Sequence, residues 1–263
     1  MANDNKFMVD DLTLMTGQMV MIPDPPLMMT QPTLHSIGLL GQANFYTAVI
    51  LLAYPSRVVK LSKEMKDFQF NDFDIIMQVM RAEDDASKIN SSLALMLLSM
   101  MFPQYEIKAV GNMILLNQKE NGSQVIINSN NYENIRQAII QIFKLEELVG
   151  SETIDNKDDS PMVKRIKEKF RKRHEILAKK NKGSGKMDIL SRYMSIVSIG
   201  LNIPMTDIKQ YTVYELFDNY KRAQLKDEFD LYVKRATSFG GVKKEEKVVN
   251  WQKSLDEIDD NKR

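Results

Sequence analysis

The stretch closest in type to a catalytic or ligand-binding loop is Gly183-Ser184-Gly185-Lys186. A loop that cradles phosphate with backbone amides and a lysine needs a further glycine five residues before the second glycine. It also needs a hydroxyl residue after the lysine. Lys180 and Met187 stand at those positions, so this run reads as a flexible connector. The only two histidines, His35 and His174, lack the spacing of a metal pair. No serine sits in a Gly-x-Ser-x-Gly turn. Asp84-Asp85 falls at a helix start and Asp158-Asp159 in a polar linker, and adjacent side chains do not face each other on a helix. With no cysteine, thiolate ligation and disulfides are excluded. The expectation is a protein that is not an enzyme, with no catalytic, cofactor-binding or metal-binding residues.

Binding is the chemistry that remains. Residues 162–182 carry ten lysines and arginines against Glu168 and Glu175, with a narrow apolar stripe of Val163, Ile166, Phe170, His174 and Leu177. Clustered cations of this kind suit phosphate contacts. Phe170 lies on the apolar stripe, however, and the acidic run next door cancels part of the field, so a face docking an acidic protein is preferred to nucleic acid. Lys169, Arg171, Lys172 and Arg173 are the candidate partner-binding cations. Tyr214, Phe217 and Tyr220 are the aromatic candidates, and residues so spaced on a helix are more often packing residues than a ligand box.

Composition bounds the class. At 263 residues, 43% hydrophobic and 27% charged, the chain resembles an ordinary globular protein with ample core. A formal net charge of +1 gives no global field toward nucleic acid or anionic membrane. The longest apolar stretch, Phe45 to Tyr54, is about half of the roughly 20 residues a spanning helix needs. The expectation is a protein of the cytoplasm, with no membrane partner. Eighteen methionines are many, and core filling is the preferred reading of them over an adaptable surface.

Periodicity and punctuation place the elements. Residues 7–22 read as a short strand or hairpin, and Pro23-Asp24-Pro25-Pro26 as a stiff extended connector. Thr33 caps a helix that breaks near Gly41, and Phe45–Ala53 forms a central helix ended by Tyr54-Pro55. Asn71 or Asp72 opens a helix through Arg81. Asp84-Asp85 precedes Ala86–Met101, with Ile89, Leu93, Leu97 and Met100 on one face. A β-meander follows at 104–128, turning at Gly111-Asn112 and Asn121-Gly122. A helix from Tyr132 to Leu148 stops at Gly150. Residues 151–161 form an acidic linker, and 162–263 a helical domain that begins with the basic helix. In it, Met187–Ile199 ends at Gly200, Thr212-Val213-Tyr214-Glu215 forms a capping box, and Val213 to about Arg235 is a long helix. Gly240-Gly241 breaks the chain, and Val248–Ile258 around Trp251 packs back as a short helix. The fold class is α+β, mostly α: an N-terminal helical domain (1–150) with a small antiparallel meander, and a helical C-terminal domain.

The run Ile208 to Phe217, a small helix followed by a threonine cap and a second helix, resembles C-terminal segments of tail assembly chaperones of tailed bacteriophages. Gln31-Pro32-Thr33-Leu34 ahead of helices, the basic spacer, and Trp251 also resemble structural-module proteins of phages of Gram-positive bacteria. The resemblance implies a non-enzymatic chaperone in the host cytoplasm. Such a chaperone binds the tape measure protein, assists assembly of the tail tube protein around it, and can homo-oligomerise. The chain is longer than the shorter chaperones of this kind, which keeps a structural subunit of the tail, neck or baseplate as the alternative. A nucleic-acid-binding protein using 162–182 is the second alternative.

Overall fold

Five short polar side chains set where helices begin. Asp10, Thr33, Asn71, Asp84 and Thr212 each accept a hydrogen bond from the backbone amide three residues on. Each satisfies one of the amides that a first helical turn leaves without a partner. The computed structural model describes residues 7–58, 71–145 and 189–238. Among them the chain runs α1 (Asp11–Met15), β1 (Val20–Pro23), β2 (Pro26–Met29), α2 (Leu34–Leu40), α3 (Gln42–Ala53) and α4 (Pro55–Val58). It continues through α5 (Asp72–Arg81), α6 (Asp85–Met101), β3 (Tyr105–Val110), β4 (Met113–Gln118), β5 (Gln124–Ile127) and α7 (Tyr132–Ile142). The last described elements are α8 (Ile189–Leu201), α9 (Met205–Ile208) and α10 (Val213–Thr237). The architecture is mostly helical, with one antiparallel three-stranded sheet in the order β3-β4-β5 and a two-stranded hairpin, β1-β2.

Helix α3 is the axis of the core. Phe45, Ala48, Val49, Leu51, Leu52 and Ala53 are buried on several sides of it, as the unbroken apolar run anticipates. It packs on α6 and α7, and the Phe45 ring meets Phe143 edge-on at 5.1 Å. The end of α3 is held by polar contacts from α7. The buried Tyr132 hydroxyl donates to the Leu52 carbonyl at 2.6 Å, and Arg136 donates to the Ala53 carbonyl while facing Asp72 and Glu133. Burial pushes the Tyr132 phenol and the Asp72 carboxyl up, the latter against the pull of Arg136.

The sheet follows the meander expected at 104–128. Ile107, Leu116 and Val125 line up across it, as do Ala109, Ile114 and Ile127, and these rows turn toward the core. Lys108, Leu115 and Ile126 line the outer face.

Several local expectations are corrected. Residues 11–15 form a helical turn rather than strand, because Asp10 caps it and Gly17, at φ 63, closes it. The Gln18 amide then returns to the Thr13 carbonyl. Pro23-Asp24-Pro25-Pro26 is the turn of the β1-β2 hairpin, not an extended connector, with a cis Asp24-Pro25 peptide and Pro23 opposite Pro26. Proline is tolerated there because the ladder ends at that point and no amide is demanded of it. On α6 the buried stripe is Leu93, Ala94, Leu97, Leu98 and Met101, so Ile89 faces outward at 60% exposed. Helix α7 stops at Ile142, with Lys144 left-handed at φ 47. Helix α8 continues through Gly200. Its reversal comes at Asn202, φ 55, where the Ile203 amide bonds the Ser198 carbonyl in a Schellman-type closure.

The expected linker at 151–161, the basic helix at 162–182 and the helix around Trp251 lie outside the described residues. The described parts on either side of that linker share one hydrophobic cluster, which runs from Val9 to Phe217. No single helix among the described residues is long and apolar enough to cross a membrane. The apolar pair α2 and α3 is bent by 99° between its members. Most of the residues that make this pair apolar are core residues, Leu39 at 78% exposed being an exception.

Candidate protein-docking surface

The region around Thr212 is built by two caps that meet. Thr33 and Thr212 form an antiparallel bridge, so the starts of α2 and α10 lie side by side. The first two amides of α2, Leu34 and His35, donate to the carbonyls of Tyr211 and Lys209, both at 2.8 Å. Amides that local sequence leaves unpaired are thus satisfied by a loop some 175 residues away in sequence. On the other side the Thr212 methyl faces Gly17, where an added Cβ would lie 3.4 Å from it on a backbone at φ +63.

The capping box on α10 is complete. The Glu215 amide donates to the Thr212 hydroxyl at 3.2 Å, and the Glu215 carboxylate accepts from the Thr212 amide at 2.6 Å. Replacing Thr212 with alanine removes a buried cap, and is expected to lower stability by about 1–2 kcal/mol. A shifted urea midpoint at unchanged slope would show it.

Burial raises the Glu215 carboxyl above its ordinary 4.5, outweighing the stabilising bonds from Thr212. The folded state therefore holds its proton to higher pH than the unfolded chain, so this group's contribution to stability falls as pH rises from 4.5 through the raised pKa. Glu215→Gln retains an oxygen for the Thr212 amide and carries no charge. Its urea midpoint is expected to fall less steeply over that window than the wild-type midpoint does.

The aromatic candidates on α10 fall into two groups. Tyr214 and Phe217, at 6% and 3% exposed, are core positions. The Tyr214 hydroxyl donates to Asp11 at 3.0 Å, and the Lys144 ammonium lies 4.1 Å over its ring. Tyr220 is half-buried, stacked on Tyr193 at 3.8 Å, and its hydroxyl accepts from Gln224 at 2.8 Å. Tyr193 also meets Phe217 edge-on at 5.0 Å. Of the three, only Tyr220 offers substantial ring surface outward. The cationic candidates Lys169, Arg171, Lys172 and Arg173 lie outside the described residues.

The exposed apolar surface lies elsewhere, and sequence reasoning missed it. Three described methionines are buried: Met29, Met77 and Met101. Eight are exposed: Met8, Met15, Met19, Met21, Met28, Met96, Met113 and Met205. Met80, Met100 and Met194 pack against the core as well, so core filling describes six of the fourteen described methionines and not the other eight. In the β1-β2 hairpin, alternation sends Val20, Ile22, Leu27 and Met29 inward, and pairs Met21 with Met28 on the outer face. Met21 is 66% exposed and Met19, just before the strand, 52%. On the three-stranded sheet Val110, Met113 and Ile126 are also exposed. The alternation of residues 19–22 was the available signal, hidden by reading the prolines as a break in the ladder. Among the described residues, no three His, Cys, Asp or Glu side chains gather as a metal site.

No curated protein and no solved structure matches the chain significantly. A family model described as the YomV second domain matches residues 179–256, under a third of the chain, and spans α8, α9 and α10. That family is phage-associated, and the match supports a phage protein.

Proposed function

We propose that this protein is a phage protein, a non-enzymatic tail assembly chaperone that binds the tape measure protein and assists tail tube assembly around it. The observation that carries the reading is the outward methionine face of the β1-β2 hairpin, centred on the Met21–Met28 pair. Unbranched, polarisable methionine side chains repack against varied apolar partners, which suits a long helical client without a fixed shape. Exposed apolar residues held on a rigid hairpin cost the free protein little further ordering when a client docks. The inward residues Val20, Ile22, Leu27 and Met29 tie that hairpin to the core, with α7 packed on β1.

Co-expression tests the proposal. Tape measure protein made with this chain is expected to partition to the soluble fraction and to co-purify with it, and an unchanged insoluble fraction would sink the reading. A structural subunit of the tail, neck or baseplate is the competing assignment. Mass spectrometry of purified virions separates the two, since a chaperone is absent from mature particles and a subunit is present.

A further inference from the structure

The two edges of the three-stranded sheet are finished differently. The Lys119 amide, just past β4, donates to the Gln104 carbonyl at 3.0 Å, which fixes the alternation of the β3-β4 ladder. Glu106, Lys108 and Val110 turn their backbone groups to β4, and Ile107 and Ala109 turn theirs outward. On the opposite edge the Ser123 carbonyl accepts from the Gln118 amide at 2.7 Å, so Gln124 and Ile126 are the outward residues of β5. That edge is plugged. The Asn131 side chain donates to the Ile126 carbonyl and accepts from the Asn128 amide, both at 2.9 Å, as a neighbouring strand would. The β3 edge carries no such plug. Among the described residues only β4 pairs with β3, and the outward amides and carbonyls of Ile107 and Ala109 have no partner. An edge of this kind is a template for another strand.

We propose that β3 pairs antiparallel with β3 of a second copy about a two-fold axis at Ile107, joining the two three-stranded sheets into one. In that register the Ile107 amide of each chain donates to the partner's Ile107 carbonyl, and the Ala109 amide to the partner's Tyr105 carbonyl. The ladder stops there, because the Tyr105 amide already donates to the Phe102 carbonyl at 3.0 Å. On the outer face Glu106 meets the partner's Lys108, and Lys108 the partner's Glu106. On the inner face Ile107 meets the partner's Ile107, and Tyr105 lies opposite the partner's Ala109. All three residues are only partly buried against their own chain's core, so pairing covers them further.

The charges select this occupant and this register. A lone lysine on an edge strand discourages a second copy from pairing. Here Glu106 and Lys108 flank Ile107 symmetrically and form an ion pair at 3.0 Å within the chain, both side chains more than half exposed. The pair is its own complement about Ile107, which a strand of unrelated sequence would match only by chance. Moving the axis to Glu106 or to Lys108 would set like charges opposite each other, which is unfavourable.

Light scattering on the full-length chain at tens of micromolar is expected to give twice the chain mass. Glu106→Lys sets lysine against lysine at both rungs and is expected to raise the dimer dissociation constant by about tenfold or more. Adding Lys108→Glu to it exchanges the two charges and is expected to restore the dimer. Both positions are exposed, so far-UV circular dichroism should be unchanged in either variant. Cysteine pairing reads the register, because the chain has no cysteine of its own. Glu106→Cys mixed with Lys108→Cys should form an intermolecular disulfide on mild oxidation. The two positions face each other as a non-hydrogen-bonded pair, with Cα atoms about 4.5 Å apart and within disulfide reach. Neither variant alone should cross-link, since like positions lie two residues apart along the ladder. A monomer at that concentration, a double exchange that fails to restore the dimer, or equal cross-linking by the single variants would overturn the proposal.

Discussion

Replacing Phe217 with alanine is expected to destabilise the protein by about 3–5 kcal/mol, the range for removing a large aromatic from a packed core. Phe217 is 3% exposed and packs edge-on against Tyr193, so its removal leaves a cavity and strips the stacked Tyr193–Tyr220 pair of a supporting ring. A loss of that size is a large share of the roughly 5–15 kcal/mol that holds a typical domain folded. The form of the transition is as informative as its midpoint. Phe217 belongs to the same hydrophobic cluster as Val9, Phe45 and Ile127, so the sheet and the helices should unfold together. Near-UV and far-UV circular dichroism in urea should report coincident curves shifted to lower urea. Two separate transitions, with only the later part of the chain affected, would contradict the shared core.

Exchanging Met21 and Met28 for threonine is expected to abolish the solubilising effect on the tape measure protein while leaving the urea midpoint nearly unchanged. The two residues face each other across β1 and β2 on the solvent side, so the substitution opens no cavity. Threonine has good strand propensity, and a cross-strand Thr–Thr pair can hydrogen-bond, which preserves the hairpin. What is lost is adaptable apolar area, and binding through that area should fall accordingly. Solubility assays with the wild-type and doubly substituted chains in parallel, alongside denaturation curves, separate a lost surface from a lost fold. Retained solubilisation would move the docking face away from this hairpin.

Much of the local structure was legible because helix starts are written in i to i+3 chemistry. Thr33, Asn71, Asp84 and Thr212 each bond an amide within one turn, so residue type and spacing suffice to find them. The meander was legible for a similar reason, since Gly111 and Gly122 adopt the positive φ that its two turns require. The candidate site was far less so. Tyr214 and Phe217 carry the same chemistry whether they bind a partner or fill a core, and only the elements packed on them decide which. Methionine is equally ambiguous, being apolar enough for the interior and flexible enough for a surface.

By itself the sequence determined the mostly helical α+β class, most helix starts and the turns of the meander. All of these depend on neighbours within a few residues. The tertiary structure alone decided that the amides opening α2 are satisfied by the carbonyls of Lys209 and Tyr211, and that Tyr214 is tied to Asp11 and Lys144. It also decided that Met21 and Met28 face outward as a pair. Those outcomes depend on contacts between segments far apart in sequence, and on which face of each element the rest of the chain leaves uncovered.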